Sequence, residues 1–306
     1  MRALVTSGGG AKGAFSVGAL KILYQNNLGD FDVISGTSTG SLIAALAAVN
    51  QYDVLENEYK NVNDVDILAQ PNLVQNILLN KPYFYSTLPL EAKVNQYVTD
   101  AVFNQIKASN KYVCFTAISL QSGRRTVFTT RMFQPAGDYD VVLIEDGPML
   151  RDAIMASTNQ AAFLPPVKIR VGQSEQQFVD GGNRDVLPVK PAIDLGATEI
   201  FALSNNPLAL NKVGGEYTDV MQILLRAISV FIQDIRDNDY ADLDRYTGGS
   251  VYKIQPSREL DQNNPTGLNF KKSDMLLWMR YGEIITREVL KNNNLINTGP
   301  LLAGNP

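Results

Sequence analysis

Two glycine-rich turns, each lying between a short apolar run and a helical pattern, fall within the first fifty residues, and they restrict the fold more than anything else in the chain. Ala3, Leu4, Val5 and Thr6 run into Ser7, Gly8, Gly9 and Gly10, which reads as a buried strand entering a tight turn. From Lys12 onward, Phe15, Val17, Leu20, Ile22, Leu23 and Tyr24 suit a helix laid on a sheet, with Asn26, Asn27 and Gly29 as its stop. Phe31, Val33 and Ile34 make a second buried strand, and after Gly40 an apolar helix runs over 41–49. This alternation predicts an α/β fold. Parallel strands need crossover connections, and the crossover helices cover both faces of a mostly parallel sheet.

The rest of the chain continues the scheme. Residues 52–103 read as mainly helical and apolar, including Ile67, Leu68, Leu73, Val74, Ile77, Leu78 and Leu79 and the aromatic group Tyr83, Phe84 and Tyr85. Residues 112–120 and 125–130 predict a hairpin around Gln121-Ser122-Gly123, in which Arg124-Arg125 reads as solvated. A helix over 149–157 and strands over 177–179 and 199–204 follow. Apolar residues recur at helical spacing from 220 to 235, and a last helix over 275–290 has Ser273 as its candidate cap. The expected organisation is one core over 1–206 with a mainly helical extension, 207–306, packed on it.

Composition removes whole mechanisms. The chain has 306 residues and no histidine, which excludes Ser-His-Asp or Cys-His catalysis and any histidine-ligated metal. Its single cysteine, Cys114, lies in an apolar run and reads as a core thiol. A formal net charge of −4 offers no general attraction for phosphate backbones, so nucleic acid is not an expected partner. Neither a signal-peptide pattern nor an apolar run long enough to span a bilayer is visible, and the expected location is cytoplasmic. The sequence gives no reading of oligomeric state.

The first turn has two readings. Gly8, Gly10 and Gly13 match GxGxxG between a strand and a helix, with Asp30 and Asp32 about twenty residues on, as a dinucleotide site requires. Those aspartates precede the second strand, however, whereas a ribose-binding acid should close it. What closes it is Gly36-Thr37-Ser38-Thr39-Gly40, a GxSxG that can hold a serine hydroxyl exposed on a sharp bend. The amides around Gly9, Gly10 and Ala11 then suit an oxyanion developing beside Ser38 as well as they suit a phosphate.

A serine nucleophile needs a partner that takes its proton, and without histidine a carboxylate is the natural candidate. Asp180, ending a strand and followed by Gly181 and Gly182, has the expected position at a strand tip. Asp146 precedes Gly147, Pro148 and a helix, where an aspartate is a cap. Any activity limb near pH 6.5 must then come from a perturbed carboxylate.

With these pieces in place the sequence resembles the patatin-like phospholipase family. The resemblance rests on the GGGxKG turn at Gly8 to Gly13, Gly36-Thr37-Ser38-Thr39-Gly40, Ala156-Ser157 leading to Pro165 and Pro166, and Phe178-Val179-Asp180-Gly181-Gly182, and it covers about the first two-thirds of the chain. It implies a three-layer α/β/α hydrolase fold and lipid acyl ester hydrolysis by a Ser38-Asp180 dyad, without metal or other cofactor. Carried over by position, Gly8, Gly9, Gly10 and Ala11 form the oxyanion turn, Lys12 orients it, and Gly36, Gly40, Gly181 and Gly182 support the two catalytic turns. The implied partner is a phospholipid or other acyl-ester lipid, met in transient contact with a membrane surface. A nucleotide-binding module and a catalytically silent interaction protein are the alternatives.

Overall fold

Both turn-bearing strands form where the pattern places them. A computed structural model describes residues 1–68, 79, 81, 83–208, 216–261, 267 and 269–296. Strand β1 (Arg2–Thr6) leads through a 3-10 turn (Gly10–Lys12) into α1 (Gly13–Gln25), and β2 (Val33–Thr37) leads into α2 (Thr39–Ala47). The strands pair in parallel, Ala3 opposite Val33 and Thr6 opposite Gly36, so the two glycine turns emerge side by side.

Helices α3 (Tyr52–Asn61), α4 (Leu88–Tyr97) and α5 (Asp100–Ala108) form in the region expected to be helical, while Leu73, Val74, Ile77 and Leu78 lie outside the described residues. Strands β3 (Tyr112–Ser119) and β4 (Arg125–Thr129) make the expected antiparallel hairpin, followed by β5 (Asp140–Leu143). Asp146 caps α6 (Gly147–Thr158), its carboxylate accepting a hydrogen bond from the Met149 amide at 2.8 Å. Then come β6 (Val167–Val171), β7 (Ser174–Asp180), α7 (Lys190–Asp194), β8 (Glu199–Leu203), α8 (Val220–Arg245), β9 (Ser250–Ile254) and α9 (Lys272–Asn292).

Nine described strands join one sheet in the order β5-β4-β3-β2-β1-β8-β9, with β7 and then β6 attached through β3. The central pairings β2–β3, β1–β2, β1–β8 and β8–β9 are parallel. Alternation along β1 separates two cores: Leu4 packs with Phe15, Leu20 and Ile43 on one face, and Ala3 and Val5 with Leu187, Ala192 and Leu243 on the other. Helix α9 completes the larger core by lying directly on α1. A Cβ on Gly18 would sit 1.9 Å from the Met279 carbonyl oxygen and one on Gly282 2.0 Å from that of Phe15, so only glycine permits this crossing.

Several details differ from the sequence pattern. Strands β5, β6 and β9 were not legible in it, and β9 places part of the region beyond residue 206 in the central sheet. Lys271, not Ser273, precedes the first turn of α9. The α8 stripe is divided: Tyr240 and Leu243 are buried, while Ile223, Leu224 and Phe231 are exposed. Arg125 is not a solvated turn residue, because it pairs at 3.0 Å with the buried Asp185. Cys114 is buried, and that burial pushes its thiol pKa up to about 12. Among the described residues, no helix is long and apolar enough to cross a membrane.

Candidate active site

Ser38 occupies the single-residue bend between β2 and α2, with φ 57° and ψ −129°. A non-glycine residue there costs on the order of 1–3 kcal/mol and persists only where its surroundings leave no alternative. They leave none. A Cβ on Gly36 would lie 2.3 Å from the Gly40 carbonyl oxygen, and one on Gly40 2.3 Å from that of Thr6, so any side chain at either glycine would force the bend open. The Ser38 amide donates to Ser157 Oγ at 3.1 Å, and Ser157 Oγ donates to the Thr116 carbonyl at 2.6 Å. Ser41 Oγ, 2.7 Å from Ser157 Oγ, closes this support. Ala156-Ser157 was part of the family pattern, but nothing in the sequence assigned Ser157 this role.

The edge of β3 brings Asp180 to Ser38. Its first half pairs in parallel with β2, ending at Thr37 opposite Thr116. Its next residue, Ala117, pairs with Asp180 of the antiparallel β7. Thus β2 leaves and β7 arrives at consecutive positions on one strand edge, and their end residues meet. The backbone amide of Asp180 donates to the Asn159 carbonyl at 2.9 Å, and Asn159 Nδ2 donates to the Pro165 carbonyl at 2.7 Å. Asp180 Oδ1 accepts from the Gly182 amide at 2.7 Å, and a Cβ on Gly181 would lie 2.4 Å from the Thr116 carbonyl oxygen.

Burial raises the Asp180 pKa to about 6, against the smaller lowering effects of the hydrogen bond from the Gly182 amide and of the neighbouring Ser38 hydroxyl. The carboxylate is therefore mostly ionised at neutral pH, yet more basic than a solvated aspartate, as a general base requires.

The first glycine turn lies against this pair. A Cβ on Gly8 would sit 3.0 Å from Ser38 Cβ. Gly9 and Gly10 have φ values of 144° and 56°, in the region where glycine is favoured. The Gly8 amide donates to the Val186 carbonyl at 3.1 Å and the Ala11 amide to that of Gly267 at 2.8 Å. Among the described residues the amides of Gly9 and Gly10 have no such partner, which narrows the donors available to an anion from the expected four. Lys12 is buried, donating to Asn206 Oδ1 at 2.5 Å and pairing with Glu259 at 3.2 Å, so it ties the turn to the following loops.

The aspartates required by the dinucleotide reading lie elsewhere. Asp30 is exposed beside Lys111, and Asp32 Oδ2 accepts from the Arg2 amide at 2.7 Å, both before β2 and at the opposite end of the strands from the glycine turns.

Two cavities meet at Ser38. One is lined mainly by apolar side chains, including Leu42, Leu46, Leu55, Leu90, Val94 and Phe270, with Glu58 and Lys93 as its charged members. The other is a more polar crevice, lined by Gly8, Gly9, Lys12, Asp180, Asn183 and Asn206 together with Val186 and Ile232. Gly10, Ser38 and Thr158 border both.

A GxSxG bend on a mostly parallel α/β sheet, with a buried aspartate at its serine and a glycine turn beside it, defines the class of fold. Within it, the chain belongs to the patatin-like phospholipase family, whose model matches residues 4–193. The chain is 26% identical over 224 residues to the cUMP-AMP-activated phospholipase of Escherichia coli, covering 69% of this chain and 60% of that protein. It is 30% identical over 200 residues to Lysophospholipase NTE1 of Scheffersomyces stipitis, covering 65% of this chain and 11% of that protein. The chain therefore spans less than two thirds of the length of these relatives. The crystal structure of VipD from Legionella pneumophila aligns over 95% of this chain and 67% of its own, at 12% identity and a TM-score of 0.44.

Proposed function

We propose that the chain is a lipid acyl ester hydrolase acting through a Ser38-Asp180 dyad, with a phospholipid or lysophospholipid as its substrate class. The observation that carries this reading is the convergence, on the β3 edge and in one crevice, of Ser38, held in a strained bend, with a buried carboxylate of raised pKa. Asp180 accepts the hydroxyl proton as Ser38 Oγ attacks the acyl carbonyl carbon. Negative charge collects on the former carbonyl oxygen, where the amides of Gly9 and Gly10 stabilise it. The ester C–O bond breaks, the leaving alkoxide takes the proton from Asp180, and an acyl-serine remains. Asp180 then takes a proton from water as its oxygen attacks that ester, and Ser38 regains the proton when the fatty acid leaves.

Desolvation supplies part of what a weak base lacks, and alignment with the hydroxyl supplies the rest. The reading extends to the surface: substrate is drawn from a membrane in transient contact, and no cofactor takes part. Incubation of wild type, Ser38→Ala and Asp180→Asn with a fluorophosphonate probe and p-nitrophenyl acyl esters tests it. Labelling and turnover in wild type alone are expected; labelling that persists in Ser38→Ala would remove the nucleophile assignment.

A further inference from the structure

Helix α8 lies outside the residues matched by the family model, yet it carries a buried carboxyl group aimed at the backbone that joins the two catalytic turns. Asp239 Oδ2 accepts hydrogen bonds from the amides of both Val186 and Leu187 at 2.9 Å. The Val186 carbonyl in turn accepts from the Gly8 amide at 3.1 Å, and Gly8 lies against Ser38. At the other end of the same segment, the amides of Arg184 and Asp185 donate to the Gly181 carbonyl at 2.9 Å, next to Asp180. Asp185 itself is buried and held by Arg125. Residues 184–187 therefore form a bridge from the aspartate turn to the glycine turn.

From this arrangement we infer that Asp239 is a positioning residue, holding the 184–187 bridge so that the amides of Gly9 and Gly10 stay in register with Ser38 and Asp180. The inference rests on the hydrolase reading of that site. A single oxygen receiving two amide hydrogens fixes the Val186 peptide in rotation as well as position, and displacement of a reacting group by about 1 Å can cost about a hundredfold in rate. Burial and the neighbouring Asp185 raise the Asp239 pKa. The protonated carboxyl is matched in shape and in acceptor oxygen by asparagine, whereas leucine keeps the volume and leaves two buried amides unpaired.

The test compares Asp239→Leu, Asp239→Asn and Asp242→Ala, the last removing a partner of Lys190 on the same helix without touching the bridge. Steady-state turnover of p-nitrophenyl esters and the fluorophosphonate labelling rate are read for each. Asp239→Leu is expected to lower kcat and labelling about ten- to a hundredfold with KM changed less than about threefold, with the Asn variant, whose side-chain carbonyl can accept from both amides, restoring both and Asp242→Ala keeping wild-type kcat. A folded leucine variant with wild-type kcat would overturn the inference, as would an asparagine variant as slow as leucine, or equal losses in Asp242→Ala. Amide hydrogen exchange of residues 8, 186 and 187 gives a readout independent of activity, for use if the leucine variant fails to fold or wild type proves inert. Protection in Asp239→Asn equal to wild type is expected, and exchange at the rate of an open turn in wild type would refute the bridge. Failure of wild type to label at Ser38 would instead count against the hydrolase reading.

Discussion

The apolar cavity and the polar crevice share Gly10, Ser38 and Thr158, but they are built by different means. The cavity is made of side chains: leucines and valines on α2, α3 and α4, whose burial follows from helical periodicity. The crevice is bordered by turns, and among the described residues their amides either donate to neighbouring carbonyls, as those of Gly8 and Ala11 do, or lack such a partner, as those of Gly9 and Gly10 do. One wall selects by area removed from water, which is graded and tolerant. The other acts through fixed dipoles, which are sensitive to small displacements. On the proposed reading an acyl ester uses both, with its acyl chain in the cavity and its reacting carbonyl at the junction.

The most severe way to break this arrangement is at the proposed dyad. Ser38→Ala and Asp180→Asn are each expected to lower kcat by about four orders of magnitude or more, as measured by ester turnover, while the fold is retained. Damage to the glycine turn, where Gly10 borders both spaces, follows. Gly10→Ala places a Cβ 2.2 Å from the Gly267 carbonyl oxygen at a φ of 56°, and is expected to cost about a hundred- to a thousandfold in kcat.

The proposed dyad also predicts a pH response. With the Asp180 pKa at about 6, kcat/KM should fall about tenfold per unit below that pH, because the base becomes protonated. The stability effect has the opposite sense. The raised folded-state value favours the protonated carboxyl, so its stabilising effect is complete below about pH 4 and lost as pH rises through about 6. Asp180→Asn is therefore expected to be more stable than wild type at pH 7 by about 2–3 kcal/mol in denaturant unfolding, with the difference gone at pH 4.

The apolar wall gives the smallest step. Each added acyl methylene should raise kcat/KM about fourfold until the cavity is filled, from about 0.8 kcal/mol per buried methylene. Leu42→Trp should end that rise at a shorter chain and leave acetyl ester turnover within about twofold of wild type.

Much of the junction was legible in the sequence because it is local. Ser7 to Gly13 and Gly36 to Gly40 each encode their own bend, and the alternation around them placed β1 and β2 side by side. Asp180 was legible as a strand end beside two glycines, but its approach was not: β7 runs antiparallel, and it meets Ser38 because β3 changes partners between Thr116 and Ala117. Such a pairing joins residues distant in sequence and leaves no periodic trace. The same holds for Ser157 beneath the bend, for Arg125 paired with Asp185, and for Asp239 on the far side of the bridge. Each is a polar group whose burial is decided by its partner, whereas hydrophobic patterning registers only apolar burial. The committed amides of Gly8 and Ala11 were likewise invisible, since a glycine motif does not say where its N–H groups point.

The most direct measurement is a crystal structure of the protein inactivated with a long-chain alkyl fluorophosphonate. The expected result is a phosphorus bonded to Ser38 Oγ, its oxygen within hydrogen-bond distance of the Gly9 and Gly10 amides, and its alkyl chain among Leu42, Leu46 and Val94. An adduct at any other residue, or an alkyl chain lying along Lys12 and Asn206 in the polar crevice, would contradict it.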